Sequence, residues 1–258
     1  MKRFILMILL MLSLALAAGC GGGSGGNGDN NLPVETKFWD DDGTGFSQFY
    51  TNDLDNCNKG FWLAYNTDYD RMDTVETEVK KVFGSELYPF GIIFCFEKTN
   101  SEIHYYRLLI WIDGSYTLRK VVTNTLTETT TDMIIPDSNN HADPDNLLPY
   151  VPHNWLNKGH NVVNSIKVVR SETGIFDIYF NSEEHPTPAA TFSDTSYPGG
   201  KYGFYAAVGE PSKEKFPNTP VDVRFRQNIP DPSVAPQTSA IKNQSVQPGM
   251  VWGSEKLR

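Results

Sequence analysis

The 258-residue chain is short of cysteine, short of basic residues and, past its first twenty residues, without a long apolar run. Each shortage excludes something. Three cysteines, none in a Cys-x-x-Cys pair, argue against a zinc ribbon or a dithiol redox centre. Twenty-two Lys and Arg stand against 31 Asp and Glu, for a net charge of -9. With no basic stripe to neutralise phosphates, a nucleic-acid partner is excluded. Residues 21–258 contain no apolar stretch long enough for a membrane-spanning helix. Heptad patterning is missing, and so is a Gly-x-Ser-x-Gly nucleophile elbow. The five histidines (His104, His141, His153, His160 and His185) show neither His-x-x-x-His spacing nor cysteine neighbours, so no zinc site is expected.

The beginning of the chain carries an address. Met1-Lys2-Arg3 is a basic n-region, Phe4 to Leu16 an apolar h-region, and Ala17-Ala18-Gly19-Cys20 a small-residue close ending in cysteine. A secretory signal reads this way. The small residues before Cys20 resemble a bacterial lipobox, although Ala17 stands where Leu is commoner. The resemblance implies cleavage before Cys20 and acylation of its thiol and new amine, which anchors the protein in a membrane. An ordinary secreted protein cleaved near Ala-Ala-Gly is the alternative. Gly21 is not the aspartate that marks inner-membrane retention in many Gram-negative lipoproteins, so the outer membrane is the expected side if the cell is Gram-negative. Gly21 to Asn31 is a Gly/Ser/Asn tether with almost nothing to bury. The expected division is signal peptide 1–19, lipidated Cys and tether 20–31, folded domain 32–226, and a polar Pro/Ser/Gln-rich tail 227–258. In that tail Met250-Val251-Trp252 is apolar enough to dock back.

Between tether and tail the signals are those of strands. Val75, Thr77, Val79, Lys81 and Phe83 alternate with Glu76, Glu78 and Lys80. Gly91 to Lys98 is aromatic and β-branched. His104 to Ile112 runs into Asp113-Gly114, a hairpin signal, and on into Tyr116 to Val122. Further runs cover Val162 to Arg170, Ile175 to Phe180, Tyr202 to Val208 and Val221 to Phe225. Many short alternating strands predict an all-β, two-sheet antiparallel sandwich. On the strand His104 to Ile112, Tyr106, Leu108, Ile110 and Ile112 are expected to face the core. Tyr105, Arg107, Leu109 and Trp111 take the other face.

Several of these segments carry a resemblance. Gly91-Ile92-Ile93-Phe94, Tyr105-Tyr106-Arg107-Leu108, Asp113-Gly114-Ser115-Tyr116, Asn164 to Val168, Gly174 to Asn181, Asp194, Gly203-Phe204-Tyr205 and Val221 to Phe225 follow one another in order. This resembles bacterial members of the concanavalin A-like lectin/glucanase superfamily, near laminin-G-like and 3-keto-disaccharide hydrolase-like domains. It covers roughly Phe38 to Arg226 and implies a jelly-roll fold that hosts lectins, glycosidases and domains without known activity. The Glu-x-Asp-x-x-Glu strand of the glucanases is missing, so no catalytic residue is assigned and the balance shifts from enzyme to binder. A glycoside or disaccharide hydrolase, or a purely structural envelope protein, remains the alternative.

Other candidates follow from residue type and spacing. Glu76-x-Glu78 places two carboxylates on one strand face but lacks the third acid and is followed by Lys80, which reads as a solvated face. Asp40, Asp42 and Thr44 set oxygen donors at alternate positions in a glycine-containing loop, a weak Ca2+ candidate. Thr51 stands at the twelfth position, where a calcium loop needs a bidentate carboxylate. Asp137, Asn139, Asp143 and Asp145 form a second oxygen-rich loop. Cys57 and Cys95 form a disulfide in an oxidising compartment, or else Cys95 is a buried free thiol. The Tyr105, Arg107, Trp111 row is expected either to be covered by a loop such as the long Thr123 to Leu156 segment with its Trp155, the favoured reading, or to bind sugars by stacking and hydrogen bonding, with carbohydrate or an envelope protein as partner.

Overall fold

Alternation of apolar and polar side chains is a two-residue period that suits a pleated strand with one buried face. The chain uses it repeatedly. The computed structural model describes residues 33–64, 74–135, 151–171, 174–197, 199–216, 218–227 and 251–257. Among these, the strands are β1 (Thr36–Asp41), β2 (Ser47–Thr51), β3 (Lys59–Ala64), β4 (Thr74–Phe83) and β5 (Phe90–Lys98). Next come β6 (Glu102–Ile110), β7 (Ser115–Asn124), β8 (Thr129–Ile134), β9 (Val151–Pro152) and β10 (Asn164–Arg170). The remainder are β11 (Ile175–Phe180), β12 (Ala190–Ser193), β13 (Lys201–Val208), β14 (Val221–Gln227) and β15 (Val251–Lys256). Helix among the described residues is limited to a 3-10 turn at Leu54–Asn56 and one α turn at Pro211–Glu214.

The strands form two antiparallel sheets. One is ordered β1-β2-β14-β4-β10-β11-β12; the other runs β15-β3-β13-β5-β6-β7-β8, with β9 beside β7. The chain passes from one sheet to the other between β2 and β3, β3 and β4, β4 and β5, β9 and β10, β12 and β13, β13 and β14, and β14 and β15, crossing between layers as a jelly roll does. The fold is therefore the all-β, two-sheet antiparallel sandwich that the alternation predicts. Its core is a single inter-sheet cluster that includes Phe94, Tyr106, Leu108 and Tyr116 from one sheet and Val79, Ile166, Phe176 and Phe225 from the other. Phe176 and Phe192 stack with centroids 4.6 Å apart, as do Phe204 and Phe225.

The β6–β7 hairpin turns where Asp113-Gly114 predicts. Gly114 takes φ +83°, which a Cβ disfavours, and Asp113 Oδ1 accepts the Ser115 N–H at 2.8 Å. On β4, Val75, Thr77, Val79 and Lys81 are buried as the alternation requires, but Phe83 is 51% exposed. The pairing of β14 with β4 shifts register between Asp222 and Val223, opposite Phe83, and that bulge breaks the alternation at the strand's end. The segment 227–258, expected as a polar tail, supplies the last residue of β14 and the whole of β15, which pairs with β3 from Val251 opposite Ala64 to Lys256 opposite Lys59.

No disulfide joins Cys57 and Cys95: both are free thiols, and Cys95 is buried. Register explains why. Cys57 precedes β3, whose Lys59 lies opposite Val208 of β13, while Cys95 lies beside Phe96, opposite Lys201 at the other end of β13. Seven residues of strand separate those ends, roughly 23 Å at ~3.3 Å per residue, whereas a disulfide needs Cα atoms within about 7 Å. Burial raises the Cys57 thiol to about 11 and the Cys95 thiol to about 12, so both stay protonated and unreactive at neutral pH.

Candidate functional site

The outer face of the eight-stranded sheet, turned away from the inter-sheet core, carries a second apolar cluster. Trp62, Ala64, Ile93, Phe96, Tyr105, Leu109, Val121, Tyr205 and Ala207 compose it, with Tyr88, Ile103, Trp111 and Leu257 packed against it. The face division on β6 is the one read from its alternation: Tyr106, Leu108, Ile110 and Ile112 lie in the inter-sheet core, Tyr105 and Leu109 in the outer cluster. Tyr105 is only 1% exposed and Arg107 7%, so the row expected to offer Tyr105, Arg107 and Trp111 to a ligand lies mostly beneath the surface. Trp111 is half-buried, and its indole N–H donates to the Leu87 carbonyl at 3.1 Å. The cover expected from Trp155 is not there, because Trp155 packs against the inter-sheet core and stacks on His185, with centroids 4.8 Å apart.

Within this apolar face sits a fixed polar group. Arg107 donates from one terminal nitrogen to the Tyr205 hydroxyl at 3.0 Å and from the other to Asp132 Oδ2 at 2.5 Å. Its guanidinium lies 5.0 Å from the Tyr205 ring centroid. Arg119 donates from Nε to the second Asp132 oxygen, Oδ1, at 2.8 Å. Three strands bring these residues together. Arg107 on β6 is directly opposite Arg119 on β7, and Asp132 on β8 is opposite Val121, two residues along β7. Two arginines directly across a ladder repel each other, and Asp132, bonded to both, offsets this. Tyr205 lies flat enough to reach Arg107 because Gly60 has no side chain; a Cβ there would stand 2.0 Å from the Tyr205 oxygen. Arg119 and Asp132 side chains are each 20% exposed, and through them the group meets solvent.

The residues were findable from sequence only in part. Counting outward from a two-residue Asp113-Gly114 loop sets Lys120 opposite Arg107, whereas the observed register differs by one residue, with Ile110 opposite Tyr116 and Arg107 opposite Arg119. Asp132 carried no signal either, because β8 is polar on both faces and exposes Met133 and Ile134.

The other carboxylates of interest are committed elsewhere. Glu78 pairs with Arg226, and Glu76 accepts from the hydroxyls of Ser165 and Ser182 at 3.5 Å with Lys167 at 3.9 Å. They share the outer face of the seven-stranded sheet with cations on both sides, the arrangement of a solvated strand face. Asp42 Oδ1 accepts the Thr44 N–H at 2.8 Å, the Thr44 hydroxyl at 2.6 Å and the Phe46 N–H at 3.2 Å; Oδ2 accepts from Arg224 at 2.9 Å. Burial, the largest single influence, pushes the Asp42 carboxyl up, and these donors together outweigh it, holding the group below the usual carboxylate range. The loop is thus an inward-bonded turn, with Arg224 on the oxygen a cation would need; Asp40 is exposed and pairs across the strand with Gln48. Among the described residues no three His, Cys, Asp or Glu side chains gather as a metal site. Cys20, the tether and Asp137, Asn139, Asp143 and Asp145 lie outside the described residues.

No protein-family model matches the sequence, and no curated protein matches it. Among solved structures the fold is similar to a carbohydrate-binding module, CBM66, from Bacillus subtilis, at 12% identity and TM-score 0.37, over 72% of this chain and 94% of that one. A β-porphyranase from the human gut bacterium Bacteroides plebeius is similar at 8% identity and TM-score 0.37, over 72% of this chain and 89% of that one. A β-1,3-glucanase from Mycobacterium marinum is similar at 11% identity and TM-score 0.34, over 69% of this chain and 74% of that one.

Proposed function

We propose that the chain is a lipid-anchored cell-envelope protein whose sandwich is a non-catalytic glycan-binding module. The ligand is engaged on the outer face of the eight-stranded sheet. The observation that carries this reading is the Arg107–Asp132–Arg119 group set into an aromatic face. Burying charges costs more than burying apolar side chains of similar size, so such a group is weakly motivated by stability alone. Convergent, pre-oriented polar groups on an apolar surface are what a small-molecule site consists of. Guanidinium and carboxylate, each locked by its neighbours, offer donors and acceptors to hydroxyls without loss of side-chain freedom on binding.

The address supports the same role. Signal, Cys20 and the Gly21–Asn31 tether deliver the sandwich to an outer membrane surface, where glycans are the abundant partner. The expected result is a signal from the soluble domain on a glycan array, lost in Asp132→Ala and weakened in Trp111→Ala at the end of the same strand row. Silence on every glycan would count against a lectin and leave an envelope-protein partner as the better reading. Mass spectrometry of the mature N-terminus is expected to find Cys20 acylated; an unmodified Cys20 ends the anchor.

A further inference from the structure

The chain enters the sandwich at a fixed point. Asn52, itself buried, donates from its side-chain amide to the Pro33 carbonyl at 3.1 Å and accepts the Glu35 N–H at 2.7 Å. Two residues further on, Leu54 opens the 3-10 turn and is 53% exposed. Two more large apolar side chains stand open at this end. Phe83, at the close of β4, is 51% exposed, and Leu87, in the loop from β4 to β5, is 61% exposed. One row across the sheet joins Phe83 to the chain's entry: Phe83 lies opposite Asp222, Asp222 opposite Tyr50, and Tyr50 opposite Lys37. The loop around Leu87 is pinned. The Lys81 ammonium donates to the Ser85 and Tyr88 carbonyls, the Ser85 N–H to Glu214 Oε2, and the Trp111 indole N–H to the Leu87 carbonyl. Glu214 also accepts the Gly209 N–H, and the Gly209 carbonyl accepts the Asn58 N–H at 3.1 Å, which fastens the turn bearing Leu54 to the same network. A buried ammonium and carboxylate are weakly motivated by stability alone, and here they hold a leucine outward.

From this we infer that this end of the sandwich docks on lipid, with Leu54, Phe83 and Leu87 entering the interface of the membrane that holds Cys20. The inference rests on the lipid-anchored reading and names the part of the sandwich that meets the bilayer. Whatever path residues 20–33 take, they tie the lipid to the end fixed by Asn52, so that end is the one drawn to the membrane. A surface tethered in this way acts at high effective concentration, and a contact too small for a free protein suffices. Local charge permits the approach. Across 53–59, 81–89 and 209–215, five carboxylates stand against four lysines, whereas the whole chain has net charge -9. Pre-positioned apolar side chains leave water without a loop having to be ordered first. Contact through one end also leaves the outer face of the eight-stranded sheet clear for its ligand.

The test uses the full acylated chain in vesicles of uncharged phosphatidylcholine, with an environment-sensitive dye on Leu87→Cys or on Leu126→Cys. Leu126, 78% exposed in the β7–β8 turn, is separated from the Trp111 end by the ten residues of β7, about 33 Å. The unsubstituted chain, whose Cys57 and Cys95 thiols are protonated, is the labelling blank. A quencher carried on the lipid is expected to reach the dye at 87 several-fold better than at 126, equally at about 0.1 M and about 1 M salt, since apolar contact is not screened. Leu54→Ser with Phe83→Ser should lower the docked fraction roughly tenfold or more. Thermal melts within a few degrees of wild type separate lost docking from lost folding. Equal quenching at 87 and 126 on acylated protein overturns the inference while the anchor stands. A difference abolished by the higher salt overturns the apolar contact in favour of lysine attraction. A dye response at 87 that needs no vesicle and grows with protein concentration overturns it in favour of a contact between copies. An unmodified Cys20 removes both the anchor and the inference.

Discussion

Gly203→Ala is expected to leave no folded protein at ordinary temperature. Gly203 lies in β13, an interior strand paired on one side with Ala64 of β3 and on the other with Ile93 of β5. A Cβ at this position would stand 1.6 Å from the Leu63 carbonyl oxygen and 2.7 Å from its carbon. Both are backbone atoms of the neighbouring strand, so no side chain can move aside to relieve the clash. Relief requires β3 and β13 to separate, and both sheet faces depend on that pair. Phe204 and Phe61 serve the inter-sheet core, Tyr205 and Trp62 the outer cluster. A loss above about 5 kcal/mol belongs to such backbone conflicts and approaches the whole stability of an ordinary domain. The measurement is soluble yield and the urea midpoint of any material recovered. A cooperative transition within ~1 kcal/mol of wild type would show that the ladder tolerates the methyl group. Gly91→Ala, whose Cβ would meet the Leu108 carbonyl oxygen at 2.0 Å, is expected to behave in the same way.

The close fit around Gly203 also explains which parts of the fold could be read from sequence. Strands β4, β10 and β11 alternate because one face of each is buried and the other less so, and burial writes itself into every second residue; β5, β6, β7 and β13 are buried on both faces over most of their length and read as near-continuous apolar runs. Strands β1, β8 and β15 lie at sheet edges, where pairing on one side only and partial exposure leave little pattern. The exposure of β1, for example, shows no two-residue period. Their place is set by partners far away in the chain, such as Val251 opposite Ala64, and a local window contains no trace of that. The same distinction separates the residues of the site. Arg107 was legible as a member of a strand row, while Arg119 is set opposite it by a register one residue away from the one a two-residue Asp113-Gly114 loop implies. Asp132 enters only through the β7–β8 register. The burial of Tyr105 was beyond the alternation altogether, because a two-residue period separates two faces of a sheet without saying which is wet.

Lys81 shows a buried face whose chemistry the pattern did not disclose. It follows Val75, Thr77 and Val79 inward and is 1% exposed, with its ammonium donating to the Ser85 carbonyl at 2.6 Å and the Tyr88 carbonyl at 3.0 Å. Glu214, also 1% exposed, accepts the Ser85 N–H at 2.6 Å and the Gly209 N–H at 2.9 Å, so the Ser85 peptide links ammonium to carboxylate. Glu214→Ala is expected to cost about 3–5 kcal/mol, since it strips two backbone donors of their acceptor and leaves a buried cation without its counter-charge. The pH dependence identifies the cause. Burial pushes the Lys81 ammonium down to about 8 from 10.5, while Glu214 and then Glu86 oppose the fall. Between about 8 and 10.5 the unfolded chain holds this proton and the folded protein has released it. The unfolded state then binds more protons, so the Lys81 contribution to stability rises with pH across that window and is flat below it. Urea melts from pH 7 to 10.5 should therefore give a wild-type minus Lys81→Met difference that climbs from about pH 8 upward. In Glu214→Ala, with the opposing carboxylate gone, the climb should begin at lower pH. A difference curve flat across the whole range would mean that the Lys81 proton is held as firmly in the fold as in water.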